Sequence, residues 1–224
     1  MTLSPGAAVA VALLGGLLAL DGTSVGQVMV SRPLVAASLG GCIVGRPALG
    51  MAIGIVLEAL HLAVLPVGAS RYPEGGPAAA VAGAVFAAQL PASNRGAVLL
   101  AAVLFALAME WAGGRTVVLL RQWNARFAGA PAEGLSPGAL ARRHALPIAA
   151  DFTRGALLTL LGLVALDALL GAADVAGFPD VAAGTVVRLA AAAGIASALR
   201  LFGRAHYPLF LAGAAAGALV AWLR

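Results

Sequence analysis

Long apolar stretches alternate along this chain with short polar breaks. Apolar runs occupy residues 6–20, 34–44, 47–67, 77–91 and 96–113, then 147–173, 182–203 and 207–223. A helix needs about 20 largely apolar residues to cross a hydrocarbon core about 30 Å thick, so the longer runs predict membrane-spanning helices. Others, such as 34–44, are too short to cross. Short segments interrupted by Gly or Pro are what transporters use where broken helices expose backbone groups to a substrate near the midplane. The predicted fold is all-α, a polytopic membrane protein with about seven to eight hydrophobic segments, some short or re-entrant.

The longest polar break, 115–146, carries Arg121, Arg126, Arg142 and Arg143 against Glu133, with Pro131, Gly134, Pro137 and Gly138 as breakers. It divides the chain into membrane segments over 1–114, an amphipathic polar connection over 115–146, and a three-span bundle over 147–224. Its Arg excess predicts a cytoplasmic location. The next connection, 171–180, carries Asp174 and Asp180 without Arg and is expected on the opposite face, and Arg200 and Arg204 return the chain to the cytoplasmic side. The first apolar run lacks a basic stretch before it, which favours a retained membrane segment over a cleaved signal peptide.

Composition agrees with the pattern. Of 224 residues 62% are hydrophobic and 10% charged, against roughly 25% charged in a soluble domain. All fourteen basic residues are Arg, and the net charge is +5. Because these Arg residues sit mostly between apolar runs, cytoplasmic loops and anionic headgroups account for them, and nucleic-acid binding is not expected. The single cysteine, Cys42, predicts no intrachain disulfide or metal site and is read as a small buried residue. Small residues four apart, Gly22/Gly26, Gly41/Gly45, Gly50/Gly54 and Gly213/Gly217, predict close helix packing in lipid.

The informative residues are the polar ones inside apolar runs. A charge at mid-membrane costs about 3 kcal/mol on insertion scales, so it faces a partner or a wet cavity. Glu58 is the clearest case, with His61 three positions on; a structural pair of Glu58 with His61 or with an Arg, and a substrate role, are equally open readings. Asp21 and Gln27, in the polar stretch before Arg32 and Pro33, suit the hydrogen bonding of vicinal hydroxyls. Thr23 and Ser24 read as loop residues, and Arg32-Pro33 as a clamp or helix start. Asp151 and Arg154, three apart, read as a structural ion pair, Arg188 and Arg200 as structural charges, and Glu110-Trp111 as an interfacial anchor. No Walker loop, zinc-ligand spacing or Gly-x-Ser-x-Gly elbow is present, so no catalytic residue, metal or cofactor is expected.

Arg32-Pro33-Leu34-Val35-Ala36, Leu39-Gly40-Gly41, Gly45, Gly50, Gly54, Leu57-Glu58, Gly68-Ala69 and Pro73 follow one another with a spacing that resembles enzyme IIC of the mannose/sorbose-family phosphotransferase system. Two departures stand out: Arg46 where that family often has Asp, and Gly54-Ile55-Val56-Leu57-Glu58 where Gly-Gly-Thr-Leu-Glu is usual. The resemblance implies a sugar-translocating permease of the inner membrane. It would work with a second membrane subunit, IID, and with cytoplasmic IIA and IIB components, with more than one copy of the chain allowed in the complex. Phosphate would reach the sugar from a histidine on IIB, never from this chain. It further implies that Glu58 contacts the sugar, that Asp21, Gln27 and His61 border the site, and that Arg32, Pro33, Gly54 and Gly68 are structural. Two alternatives are an uncoupled or proton-coupled sugar porter, suggested by Glu58 and His61, and a non-transporting membrane sensor or assembly subunit.

Overall fold

A computed structural model describes residues 3–62, 74–89, 94–127, 136–173 and 183–222. Every apolar run becomes a helix: α1 (Pro5–Thr23), α2 (Pro33–Ile43), α3 (Pro47–Leu60), α4 (Gly75–Ala88), α5 (Arg95–Phe127), α6 (Pro137–Ala172), α7 (Ala183–Phe202) and α8 (Tyr207–Trp222), with one 3-10 turn at Arg204–His206 before α8. No strand occurs among the described residues. Five of the helices, α1 and α5 to α8, are long and apolar enough to cross a membrane.

The other three are short for a physical reason visible in the sequence. Pro33 and Pro47 occupy the first helical positions of α2 and α3, where the missing N–H is not needed. Gly45, at φ +77°, takes a conformation that β-carbon-bearing residues avoid and turns the chain between them. At 1.5 Å per residue α2 rises about 16 Å and α3 and α4 about 21 Å each, less than the hydrocarbon thickness. The α2–α3 unit is therefore a helical hairpin whose arms are each too short to span that thickness. A Cβ on Gly41 would lie 2.8 Å from the Gly50 Cα, one on Gly54 2.9 Å from the Leu34 carbonyl, and one on Gly40 or Gly83 would overlap backbone of α4 or α2. The crowded glycines thus let α2 lie against both α3 and α4.

A second seam joins α1 and α6 antiparallel. A Cβ on Gly15 would overlap Thr159, one on Gly16 would sit 2.7 Å from Phe152, and one on Gly155 would overlap Ala19. Since α6 also packs against α4 and α5, the two halves of the chain share one core. Not every small-residue pair packs: Gly213 and Gly217 of α8 meet nothing within 4 Å, and none of the residues of α8 is buried.

The described residues of the polar segment 115–146 are almost all helical. α5 continues to Phe127 through helix-favouring Leu, Arg and Gln, and α6 begins at Pro137 behind the Ser136 cap, whose Oγ accepts the Ala139 N–H at 3.3 Å. With 33 and 36 residues, these helices are about 50 and 54 Å long, so their Arg-bearing ends extend past any 30 Å core. Cys42 is exposed, not buried as expected, because the buried face of α2 is taken by Ala36, Ala37, Gly40 and Gly41. Gly68, with Ala69, Pro73, Glu133, Asp174 and Asp180, lies outside the described residues.

Candidate functional site

The polar residues collect where the C-terminal end of α1, the heads of α2 and α4 and the end of α3 meet α5 and α6. That level is the end of the apolar bundle from which the Arg-bearing extensions of α5 and α6 project. Asp21, in the last turn of α1, organises the 24–32 loop: its Oδ1 accepts the Val28 N–H and its Oδ2 the Ser31 N–H, both at 2.7 Å. The loop contains three left-handed residues, Gly26, Gln27 and Met29, a costly conformation for the two that carry a β-carbon, so these two bonds hold a shape that the loop would not keep alone. The Gln27 amide is exposed and makes one long bond, 3.5 Å, to the Thr23 carbonyl.

Arg32 ends this loop and precedes the first residue of α2. Its Nε donates to Glu58 Oε1 at 2.8 Å, its Nη2 donates to the same oxygen, and the Leu34 N–H donates to Glu58 Oε2 at 3.2 Å. Glu58 thus meets a guanidinium and an otherwise orphaned N–H in the first turn of α2, where the helix dipole also favours an anion. The pair stays partly open, with side-chain exposures of 34% for Arg32 and 21% for Glu58.

His61 does not pair with Glu58. α3 ends at Leu60 and His61 is its C-cap, so the ring leaves the helical face that carries Glu58. Its Nδ1 donates to the Leu57 carbonyl at 2.7 Å, and its Nε2 lies 2.8 Å from both carboxylate oxygens of Glu110. Glu110 is consequently a buried residue of mid-α5 and not an interfacial anchor. Its neighbour Trp111 is exposed, with the Arg115 guanidinium 4.9 Å from its ring centre.

Behind these groups runs a buried network. Asp151 Oδ2 accepts from the Thr23 hydroxyl at 2.5 Å and from the Ser24 hydroxyl, while Oδ1 accepts from Arg154 Nε at 3.0 Å and Nη2 at 2.7 Å. Arg154 also donates to Thr116 Oγ1 at 2.8 Å and to Glu74 Oε1 at 2.6 Å. The i, i+3 pair was legible in the sequence; its reach to α1, α4 and α5 was not. At the far tip of the hairpin, Arg46 Nη1 donates to the Ala87 carbonyl at 3.0 Å, capping the end of α4 with a cation. That contact gives the departure from the expected Asp a structural role.

Of the residues singled out from sequence, Glu58, Arg32 and Pro33 come together, and Asp21 and Gln27 belong to the adjoining loop. Asp21 and His61, expected to border a sugar, have their polar atoms engaged within the fold. Gly54 packs under Leu34. Glu74, Glu110, Asp151 and Arg154 were not among the expected site residues. The signal that could have found Glu110 is the one that found Glu58, an acid set in an apolar run.

These features define a multi-pass helical membrane protein built around a short helical hairpin with charged residues at its base. Residues 6–215 match the family model described as the sorbose-specific IIC component of the phosphotransferase system, and the chain belongs to that family of sugar permeases. A solved structure titled "Structure of membrane protein" aligns with a TM-score of 0.69 at 20% identity, over 98% of this chain and 91% of its own, a likeness of fold. No curated protein matches the chain.

Proposed function

We propose that the chain is the translocation subunit, IIC, of a phosphoenolpyruvate-dependent sugar phosphotransferase system of the inner membrane. It moves a hexose-like sugar that is phosphorylated by a IIB partner. Arg32 and Glu58 carry this reading: an ion pair at the base of a short helical hairpin, open enough to exchange part of its bonding for sugar hydroxyls. A carboxylate and a guanidinium together supply acceptors and donors for sugar hydroxyls. Gln27 adds an exposed amide, while Asp21 and His61 hold the loop and the end of α3 from behind. By the positive-inside rule the Arg-bearing ends of α5 and α6 face the cytoplasm, so the Arg32–Glu58 level opens toward the side where IIB would deliver phosphate. IID and more copies of this chain are the natural cover for α8, whose residues are apolar and unburied.

The test is uptake of labelled hexoses by membrane vesicles containing this chain and IID, supplied with IIA and IIB. The reading expects sugar phosphate inside the vesicles and no uptake without phosphoenolpyruvate. Free sugar accumulating without phosphoenolpyruvate would favour the porter; sugar binding without uptake would favour the sensor.

A further inference from the structure

Glu74, at the head of α4, has a side chain only 3% exposed. Its Oε1 accepts from Arg154, but its Oε2 is buried and has no hydrogen-bond partner among the described residues. Among the described residues, the charges around it do not balance. Glu74 and Asp151 share one guanidinium, and all three side chains are largely buried, at 3%, 2% and 11% exposure.

Among the described residues, no other element packed against α4 supplies the missing positive charge. From α5, Glu110 gives its backbone carbonyl to the Glu74 N–H at 3.4 Å and its carboxylate to His61, and Thr116 gives a neutral hydroxyl to Arg154. From the end of α3 comes His61, whose Nε2 would lie 3.6 Å from a Cβ on Gly75; it and Glu110 balance each other whichever of them holds the shared proton. From α2, Arg32 is matched by Glu58. From α1 and its loop come the hydroxyls of Thr23 and Ser24, both on Asp151. Two ionised carboxylates would leave one negative charge unmatched, and a buried, unmatched carboxylate is stabilised by taking up a proton.

The hydrogen bonds identify which acid takes it. Both oxygens of Asp151 meet donors, Oδ1 from Arg154 Nε and Nη2 and Oδ2 from the Ser24 and Thr23 hydroxyls, the latter shared with the Ala19 carbonyl at 2.9 Å. Glu74 accepts one and has a bare oxygen. We propose that Glu74 is a proton-binding site, its Oε2 carrying an exchangeable proton that neutralises the Glu74–Arg154–Asp151 cluster. Loss of that proton sets a second anion in competition for Arg154. Arg154 also steadies Asp151, and Asp151 anchors Thr23 and Ser24 at the start of the 24–32 loop. Proton occupancy is thereby coupled to the anchorage of that loop. The consequence for a sugar rests on the function proposed above; the proton site does not.

The experiment uses the full chain, with any membrane subunit that co-extracts with it, in lipid nanodiscs without sugar, so that its outcome is independent of transport. Infrared spectra near neutral pH are expected to show a protonated-carboxyl stretch that shifts on exchange into heavy water. The Glu74 share of that stretch should be lost in Glu74→Gln and retained in Glu110→Gln. The amide mimics a neutral acid, so the variant should fold. Its melting temperature should rise relative to wild type as pH increases: the folded wild type holds a proton that its unfolded chain has released, and so loses stability as pH rises. A carboxyl stretch unchanged by Glu74→Gln would overturn the proposal. So would failure of Glu74→Gln to fold while Glu74→Asp folds, because the negative charge would then be required.

Discussion

Arg32 and Glu58, 26 residues apart, join the entrance of the helical hairpin to its exit, with Arg32 Nε 2.8 Å from Glu58 Oε1. The same carboxylate receives the Leu34 N–H, so one side chain both balances a charge and caps a helix. Short helices in lipid need such closure, because backbone groups at their ends find no water there. The pair that closes the hairpin is only partly covered.

The α1–α6 seam should be intolerant of bulk. Gly155→Val places methyl groups where Ala19 and the Gly15 carbonyl already lie, and overpacking of this kind costs about 1–3 kcal/mol. At roughly 2–4 °C per kcal/mol for a chain of this size, the melting temperature should fall by several degrees. Gly213→Val, at a position with nothing within 4 Å, should leave the melting temperature of the isolated chain unchanged. Equal effects of the two substitutions would contradict the packing.

The buried network should depend on its one cation. Arg154→Met leaves Glu74 and Asp151 without their guanidinium, and removing one partner of a buried pair costs about 3–5 kcal/mol. Expression and thermal stability should drop sharply. Retention of wild-type stability would show that Arg154 is dispensable to the α1–α4–α5–α6 contact.

How much of this was legible depended on whether the cause was local. The eight apolar runs, the helix start at Pro33 and the Asp151–Arg154 pair follow from hydropathy, the fixed φ of proline and helical periodicity, which need only neighbouring residues. The Glu58–His61 pairing relied on the same periodicity and failed, because α3 ends one residue before His61 and the ring turns to Glu110, 49 positions away. Asp21 suggested a sugar ligand by its chemistry, yet its two oxygens hold the backbone of its own loop. Glu74 stands in Tyr72-Pro73-Glu74-Gly75-Gly76, outside the apolar runs. Its burial comes from α5 and α6, which no local pattern reveals.

Topology is open to labelling. Ser136 caps α6 at the end that also carries Arg142 and Arg143, and the positive-inside rule makes that end cytoplasmic. Because Cys42 is exposed, it must first be removed as Cys42→Ala. Ser136→Cys in that background should resist an impermeant thiol reagent added outside intact cells and react once the membrane is opened. Reaction in intact cells would invert the orientation.

Partner dependence is an expectation of the proposed function. The chain is expected to co-purify with a IID subunit after mild detergent extraction and to give no sugar transport when reconstituted alone. Transport by the purified chain alone in liposomes would contradict a shared translocation path.

The most direct test of the central claim, that Glu58 contacts the sugar, is Glu58→Gln in the purified complex with sugar affinity and melting temperature measured on the same sample. The amide keeps the size and hydrogen-bonding capacity of the acid but not its charge. Hydrogen bonds to charged groups contribute roughly 1.5–3 kcal/mol, and 1.4 kcal/mol is a factor of ten in affinity. The account predicts sugar binding weakened at least about tenfold in the folded fraction. Unchanged affinity with a lowered melting temperature would show that Glu58 only closes the hairpin and would contradict it.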